Sequence, residues 1–259
     1  FVLGGGELIF GDRLFGDRLN KVGWEREVKV PKIILGCGVN ACDYDKIQPH
    51  VLERLRDFEY IGLRDETSVS LLTQDSTLAP KVYLFPDPSL TLASSYGITW
   101  NPLDGVAAVA PTDRTSIESD EGIMLTNVIE QTRLQLKEKM QSDGITKVIL
   151  LAFGGDDNDD LVSCRLLAKD LDGYRVFICR PTNAREALEV LSRCAKVYSY
   201  RLHGMIFAYS LGIPFEIFGY HRKCHRVHAT MTKLAPHQLS EKVEKAWTEL
   251  KNKIEDASK

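Results

Sequence analysis

The stretch Ser199-Tyr200-Arg201-Leu202-His203-Gly204 carries two side chains suited to work on an anion. Arg201 offers a planar fork of N–H donors that matches a carboxylate or phosphate bidentately. His203 is the side-chain type whose ordinary titration lies near neutral pH, so it can give or take a proton there. Arg64, in Leu63-Arg64-Asp65-Glu66, and Asp87, in Pro86-Asp87-Pro88, are further charged residues beside turn signals. The runs Gly4-Gly5-Gly6 and Gly36-Cys37-Gly38 would let the backbone turn sharply and come close to a ligand. Each has a plainer reading. Arg201 caps a carboxylate elsewhere, His203 is a hydrogen-bonded turn residue, the glycines form a tight strand–loop turn, and Asp87 only completes a turn between two prolines.

The surrounding elements give these residues a common address. Lys196-Val197-Tyr198 reads as a buried strand, and Met205, Ile206, Phe207, Ala208 and Leu211 as a helix closed by Gly212 and Pro214. Arg201 and His203 therefore fall where a strand hands over to a helix, the edge at which open α/β sheets bind ligands. A helix N-terminus there adds unpaired N–H groups that suit an anion. Tyr60-Ile61-Gly62-Leu63 runs into Arg64 in the same way, followed by a short helix capped near Thr67 or Ser68. Other strands are predicted at 1–3, 32–35, 81–85, 105–110, 147–153, 174–178 and 214–218. Helical patterns fall at 51–58, 123–140, 160–171 and 184–194. This alternation predicts parallel sheets flanked by helices. A linker at 93–103 divides the chain into halves of similar plan, 1–100 and 101–259. Leu239, Val243, Ala246, Trp247, Leu250 and Ile254 form the stripe of a C-terminal packing helix, with Ser240 as its N-cap.

Composition bounds the function. The chain has 259 residues, 44% hydrophobic and 27% charged, which is the balance of a globular protein. A formal net charge of -3 gives no global pull toward nucleic acid or an anionic membrane. No apolar run reaches the ~20 residues that span a bilayer, and no signal peptide is visible. The chain opens directly on an apolar strand end, so an upstream strand and loop are expected to be missing. The glycine runs match neither the dinucleotide fingerprint nor the P-loop. Six cysteines, Cys37, Cys42, Cys164, Cys179, Cys194 and Cys224, form no Cys-x-x-Cys pair and read as buried residues of a reducing compartment. The acidic run 154–160 lacks calcium-loop spacing and reads as a solvated loop. His221, His225 and His228 lie among basic residues and read as a solvated or anion-facing loop. No metal is expected.

Taken in order, Gly4-Gly5-Gly6-Glu7, Gly36-Cys37-Gly38, Leu63-Arg64-Asp65-Glu66-Thr67-Ser68, Pro86-Asp87-Pro88, and Arg201-Leu202-His203-Gly204 with Gly212-Ile213-Pro214 resemble the polysaccharide pyruvyl transferase family. The resemblance spans nearly the whole chain. It implies an α/β fold of two Rossmann-like domains facing across a cleft, similar to B-type glycosyltransferases. It implies transfer of an enolpyruvyl unit from phosphoenolpyruvate to sugar hydroxyls, giving a pyruvate ketal and phosphate. No cofactor is called for, since phosphoenolpyruvate is the donor substrate. The implied partner is a glycan or lipid-linked sugar acceptor of polysaccharide and cell-envelope biosynthesis, not a nucleic acid. A homo-oligomer and a cytoplasmic or membrane-peripheral location are compatible with this. By the resemblance, His203 and Arg201 are the catalytic candidates. Arg64, Gly4, Gly5, Gly6, Gly38, Asp87 and Gly204 are the substrate-binding candidates, with Arg64 and Arg201 clamping the donor and the glycine loop offering N–H groups to phosphate. The sequence begins after the Asn/Gly/Asp-rich loop that family members usually carry. Two other readings stand beside this one: a nucleotide-sugar glycosyltransferase of the same plan, and a non-catalytic domain that keeps the fold.

Overall fold

The structure is a computed structural model and describes residues 1–14, 29–41, 43–112, 116–118, 124–126, 128–154, 160–218 and 222–257. Cys42, His221 and the 155–159 part of the acidic run lie outside the described residues. The chain divides into two compact units, Phe1–Pro88 with Arg226–Lys259, and Ser89–His225.

The first unit is built on parallel strands in the order β1 (Val2–Gly4), β3 (Ile33–Asn40), β4 (Tyr60–Leu63), β5 (Val82–Leu84), with β2 (Glu7–Phe10) also beside β3. Gly5 and Gly6, at φ 78° and 73°, break this edge into two short strands. Only glycine takes such angles without strain, which is why the run is glycine. Strand β3 is buried along nearly its whole length, the mark of a parallel strand covered on both faces. One face packs Ile34, Ile61 and Leu63 against α1 (Pro49–Arg56) and α2 (Glu66–Leu72) through Val51, Leu55, Leu71 and Leu72. The other packs Ile33, Leu35, Tyr60 and Phe85 against Val243 and Leu250 of the C-terminal helix Pro236–Ala257. Each such fully buried side chain contributes about 1.5–3 kcal/mol.

The second unit starts with α3 (Leu92–Ser95) and β6 (Val106–Ala110). An antiparallel hairpin follows, β7 (Ser116–Glu118) and β8 (Met124–Thr126), then α4 (Val128–Ser142), β9 (Lys147–Leu151), α5 (Asp160–Asp170), β10 (Arg175–Cys179) and α6 (Ala184–Leu191). The unit closes with β11 (Lys196–Ser199), α7 (Leu202–Leu211) and β12 (Phe215–Ile217). The parallel sheet has the order β10-β9-β6-β11-β12. Strand order therefore reverses between β6 and β11, and such a reversal opens a crevice at the carboxyl ends of the strands. Helix α7 is buried on nearly all sides and stops at Gly212, which takes the left-handed cap at φ 72°.

The chain re-enters the first unit at Arg226, within α8 (Arg222–Met231), and continues there with α9 (Pro236–Ala257). This differs from the expected plan, in which the C-terminal helix belongs to the second half. Ile33, Leu35 and Phe85 leave an apolar face that α9 covers, and burial decides its partner. Helix α8 replaces an expected loop. Its Cys224, Val227 and Met231 are buried at helical spacing. Pro236 opens α9, ahead of the expected cap at Ser240, because proline at the first position forfeits no helical hydrogen bond. The side chain of Ile254 lies outside the described set.

Candidate active site

In the second unit the exit of β11 is a braced turn. Ser199 Oγ donates to the Arg201 carbonyl at 2.6 Å and accepts from the Arg201 N–H at 3.2 Å. Tyr200 N–H donates to the Ala110 carbonyl at 2.9 Å, tying the turn to the end of β6. Arg201 is the N-cap of α7, with extended backbone. His203 follows in the first turn and is exposed. Its ring centroid lies 6.0 Å from that of Phe207, one turn along, and Phe207 meets Phe153 edge-on at 6.1 Å. Gly204 is a close-approach position. A Cβ there would lie 2.4 Å from Ser199 Oγ and 3.0 Å from Ala110 Cβ, so any other residue would lift α7 off the strand ends. Arg201, His203 and Gly204 thus stand together at the point where strand order reverses.

A fourth member, Asp160, is not legible in the sequence as part of this corner. Asp160, the first residue of α5, is fully buried and forms an ion pair with the Arg201 guanidinium. Its other oxygen accepts the Gly154 N–H at 2.7 Å. Asp160 is thus no part of a solvated loop, because a buried carboxylate needs its charge matched, and Arg201 supplies that match. The expectation that Arg201 caps a distant carboxylate is met. Arg201 keeps a fifth of its side chain exposed, so the fork is both held and accessible. The signal available in sequence was position: Asp160 follows the exit of β9 into α5, at the same sheet edge as the exit that carries Arg201, with β6 between the two strands.

The first unit gathers its candidates at the carboxyl edge of its own sheet. Gly5 N–H donates to the Leu35 carbonyl at 3.0 Å and Gly38 N–H to the Gly6 carbonyl at 3.1 Å. These two N–H groups hold the backbone of the corner together. Gly4 lies against Leu35, where a Cβ would stand 3.5 Å from the carbonyl oxygen. A Cβ on Gly38 would meet the Arg64 guanidinium at 3.0–3.3 Å, and one on Gly36 would meet Pro88 Cδ at 2.5 Å. Arg64 itself is 1% exposed, with Nη1 3.9 Å from Asp87 Oδ2, itself 7% exposed. In this conformation Arg64 therefore does not present its fork to solvent as a donor clamp. Its buried charge is matched by Asp87 and packs the corner. Asp87 does more than turn the chain. Burial pushes the neighbouring Cys37 thiol up to about 12, so it is an inert packing residue. The cap of α2 is Asp65, accepting from Ser68 N–H at 2.8 Å, two residues before the expected Thr67.

The sequence model of the polysaccharide pyruvyl transferase family matches residues 1–222. No curated protein sequence matches the chain. Among solved structures, the chain is similar to a UDP-N-acetylglucosamine 2-epimerase from Rickettsia bellii. The TM-score is 0.51 at 10% identity, over 96% of this chain and 74% of that one. It is also similar to the UDP-GlcNAc 2-epimerase of Methanocaldococcus jannaschii, with a TM-score of 0.52 at 8% identity, over 95% and 75% of the two chains. These likenesses are of fold, the plan of two Rossmann-like domains shared with B-type glycosyltransferases. The family match runs through the glycine corner of the first unit and the Arg201–His203 corner of the second, and the chain belongs to the polysaccharide pyruvyl transferase family.

Proposed function

We propose that the chain moves the enolpyruvyl group of phosphoenolpyruvate onto sugar hydroxyls of a polysaccharide or its precursor. The observation that carries this reading is the Arg201–His203 pair at the strand-order reversal of a chain in this family. Phosphoenolpyruvate carries a carboxylate and a phosphate, and Arg201 offers an oriented fork to one of them. In the reaction, C3 of the donor takes up a proton and becomes a methyl group, leaving an oxocarbenium-like C2. A sugar hydroxyl adds to C2 and loses its proton. The C2–O bond to phosphate breaks, a second hydroxyl adds and loses its proton, and a ketal and inorganic phosphate result. His203 handles a proton at C3 or at the attacking hydroxyl, the two places where general acid–base help lowers the barrier. Gly204 lets α7 seat so that both side chains keep their place. Gly4, Gly5, Gly6, Gly38, Arg64 and Asp87 are the first unit's own substrate-binding candidates, with Arg64 shaping that corner through its pairing with Asp87.

The test is phosphate release from phosphoenolpyruvate with a panel of oligosaccharides offering 1,2- and 1,3-diols. His203→Ala is expected to lower turnover about 10²-fold or more, with an unchanged circular dichroism spectrum and thermal midpoint. A folded variant with near-normal turnover would remove His203 from the chemistry.

A further inference from the structure

Helix α8 begins where the family match ends, at residue 222, yet it reaches into the first unit's corner. Arg226 Nη1 donates to the Val39 carbonyl at 3.0 Å and Nη2 to the Ala41 carbonyl at 3.1 Å. One rigid fork thus takes two backbone acceptors at the exit of β3, a geometry that lysine cannot reproduce. One turn later, Thr230 Oγ1 accepts the Glu66 N–H at 3.3 Å, and Lys233 pairs with the Glu66 carboxylate. Val39 N–H donates the other way, to Ser68 Oγ at 3.0 Å, and Ser68 Oγ donates to Asp65 at 2.8 Å. Helix α8 therefore ties the exits of β3 and β4 into one network.

The segment held in this way, Gly36–Ala41, is the one that lays Gly38 against the Arg64 guanidinium. Its other end is fixed by Pro88 packed on Gly36. The chain leaves the first unit after Pro88 and re-enters it at Arg226, so both crossings bear on this one segment. We infer that Arg226 is a positioning residue for the glycine–arginine corner. It holds the end of β3 so that Gly38 keeps its register on the buried Arg64, and the glycine backbone of this corner, the part open to the donor, is set in advance. The link to the donor rests on the function proposed above. Arg226 acts through Val39 and Ala41, not on the donor itself.

The experiment compares wild type with Arg226→Lys and Arg226→Met by amide hydrogen exchange and by phosphate release from phosphoenolpyruvate. Arg226→Lys is expected to speed exchange about tenfold across 36–41 and 64–68 while the 60–63 strand is unchanged, as a local opening does. KM for phosphoenolpyruvate is expected to rise about tenfold with kcat within about twofold. Arg226→Met, which has neither charge nor fork, is expected to do the same or more. Unchanged exchange and unchanged KM in both variants would overturn the inference. So would faster exchange across the whole unit with KM unaltered, which is what a merely structural arginine gives. If wild type releases no phosphate from phosphoenolpyruvate, the donor reading falls. The exchange arm then decides alone: a rise confined to the two exits supports positioning, and its absence refutes it.

Discussion

At the scale of single residues, the second unit's corner depends on a carboxylate under a guanidinium. Asp160 is fully buried, and Arg201 covers it while keeping a fifth of its side chain in solvent. Removing one partner of a fully buried pair costs about 3–5 kcal/mol, and the exposure of Arg201 lowers that figure here. Asp160→Asn keeps the shape and removes the charge. It is expected to cost about 2 kcal/mol of stability and, by freeing the fork, about tenfold or more in turnover. Thermal unfolding and steady-state kinetics check this together. A variant as stable as wild type and within twofold of its turnover would contradict it. The addresses of Arg201 and His203 were legible from a strand followed by a helix. The identity of Arg201's partner was not, because Asp160 ends a run of like residues and sequence does not say which of them is buried. Arg64 was placed correctly at a strand exit, but its burial against Asp87 depends on Gly36, Gly38 and Pro88 packing in three dimensions.

At the scale of elements, the central parallel strands β3, β4, β6 and β11 were legible as apolar runs because they are buried on both faces. Helix α8 was not, since Arg226, His225 and His228 obscure the stripe of Cys224, Val227 and Met231. The helix expected from residue 123 starts at Val128 instead, because β8 occupies Met124–Thr126. Local charge also holds elements in place. At the end of β11 opposite Arg201, Lys196 bonds Asp143 and Glu216, each at 2.6 Å. Burial pulls Lys196 down, but the two carboxylates outweigh it and raise its pKa. Between α2 and β5, the buried Asp75 accepts from Thr77 and Leu78 and pairs with Arg56. The Thr77 hydrogen bonds lead in lowering its carboxyl from 3.8 to about 2. A depressed carboxyl stabilises the fold above its unfolded pKa, and that contribution is lost as pH falls through the folded value. The loss therefore runs from about pH 4 to about pH 2 and amounts to about 2 kcal/mol. The stability gap between wild type and Asp75→Asn is expected to hold at pH 6 and shrink by that amount at pH 2. A gap unchanged between those pH values would contradict the assignment.

At the scale of the whole molecule, two parallel sheets each carry an arginine where a strand passes into a helix, and one chain crosses between the units twice. Among the described residues no helix is long and apolar enough to cross a membrane. The chemistry assigned to this scaffold makes one demand that does not depend on which glycan is the acceptor. A ketal carries two sugar oxygens on C2 of the pyruvyl unit, so the oxygen that bridged C2 and phosphorus in the donor must depart with phosphate. The direct test uses phosphoenolpyruvate labelled with oxygen-18 at that bridge, wild-type protein and an accepting glycan. The account predicts that the label is recovered in inorganic phosphate, with one ketal formed per phosphate. Label retained on the pyruvyl carbon, with the phosphoryl group found on sugar or water, would contradict it.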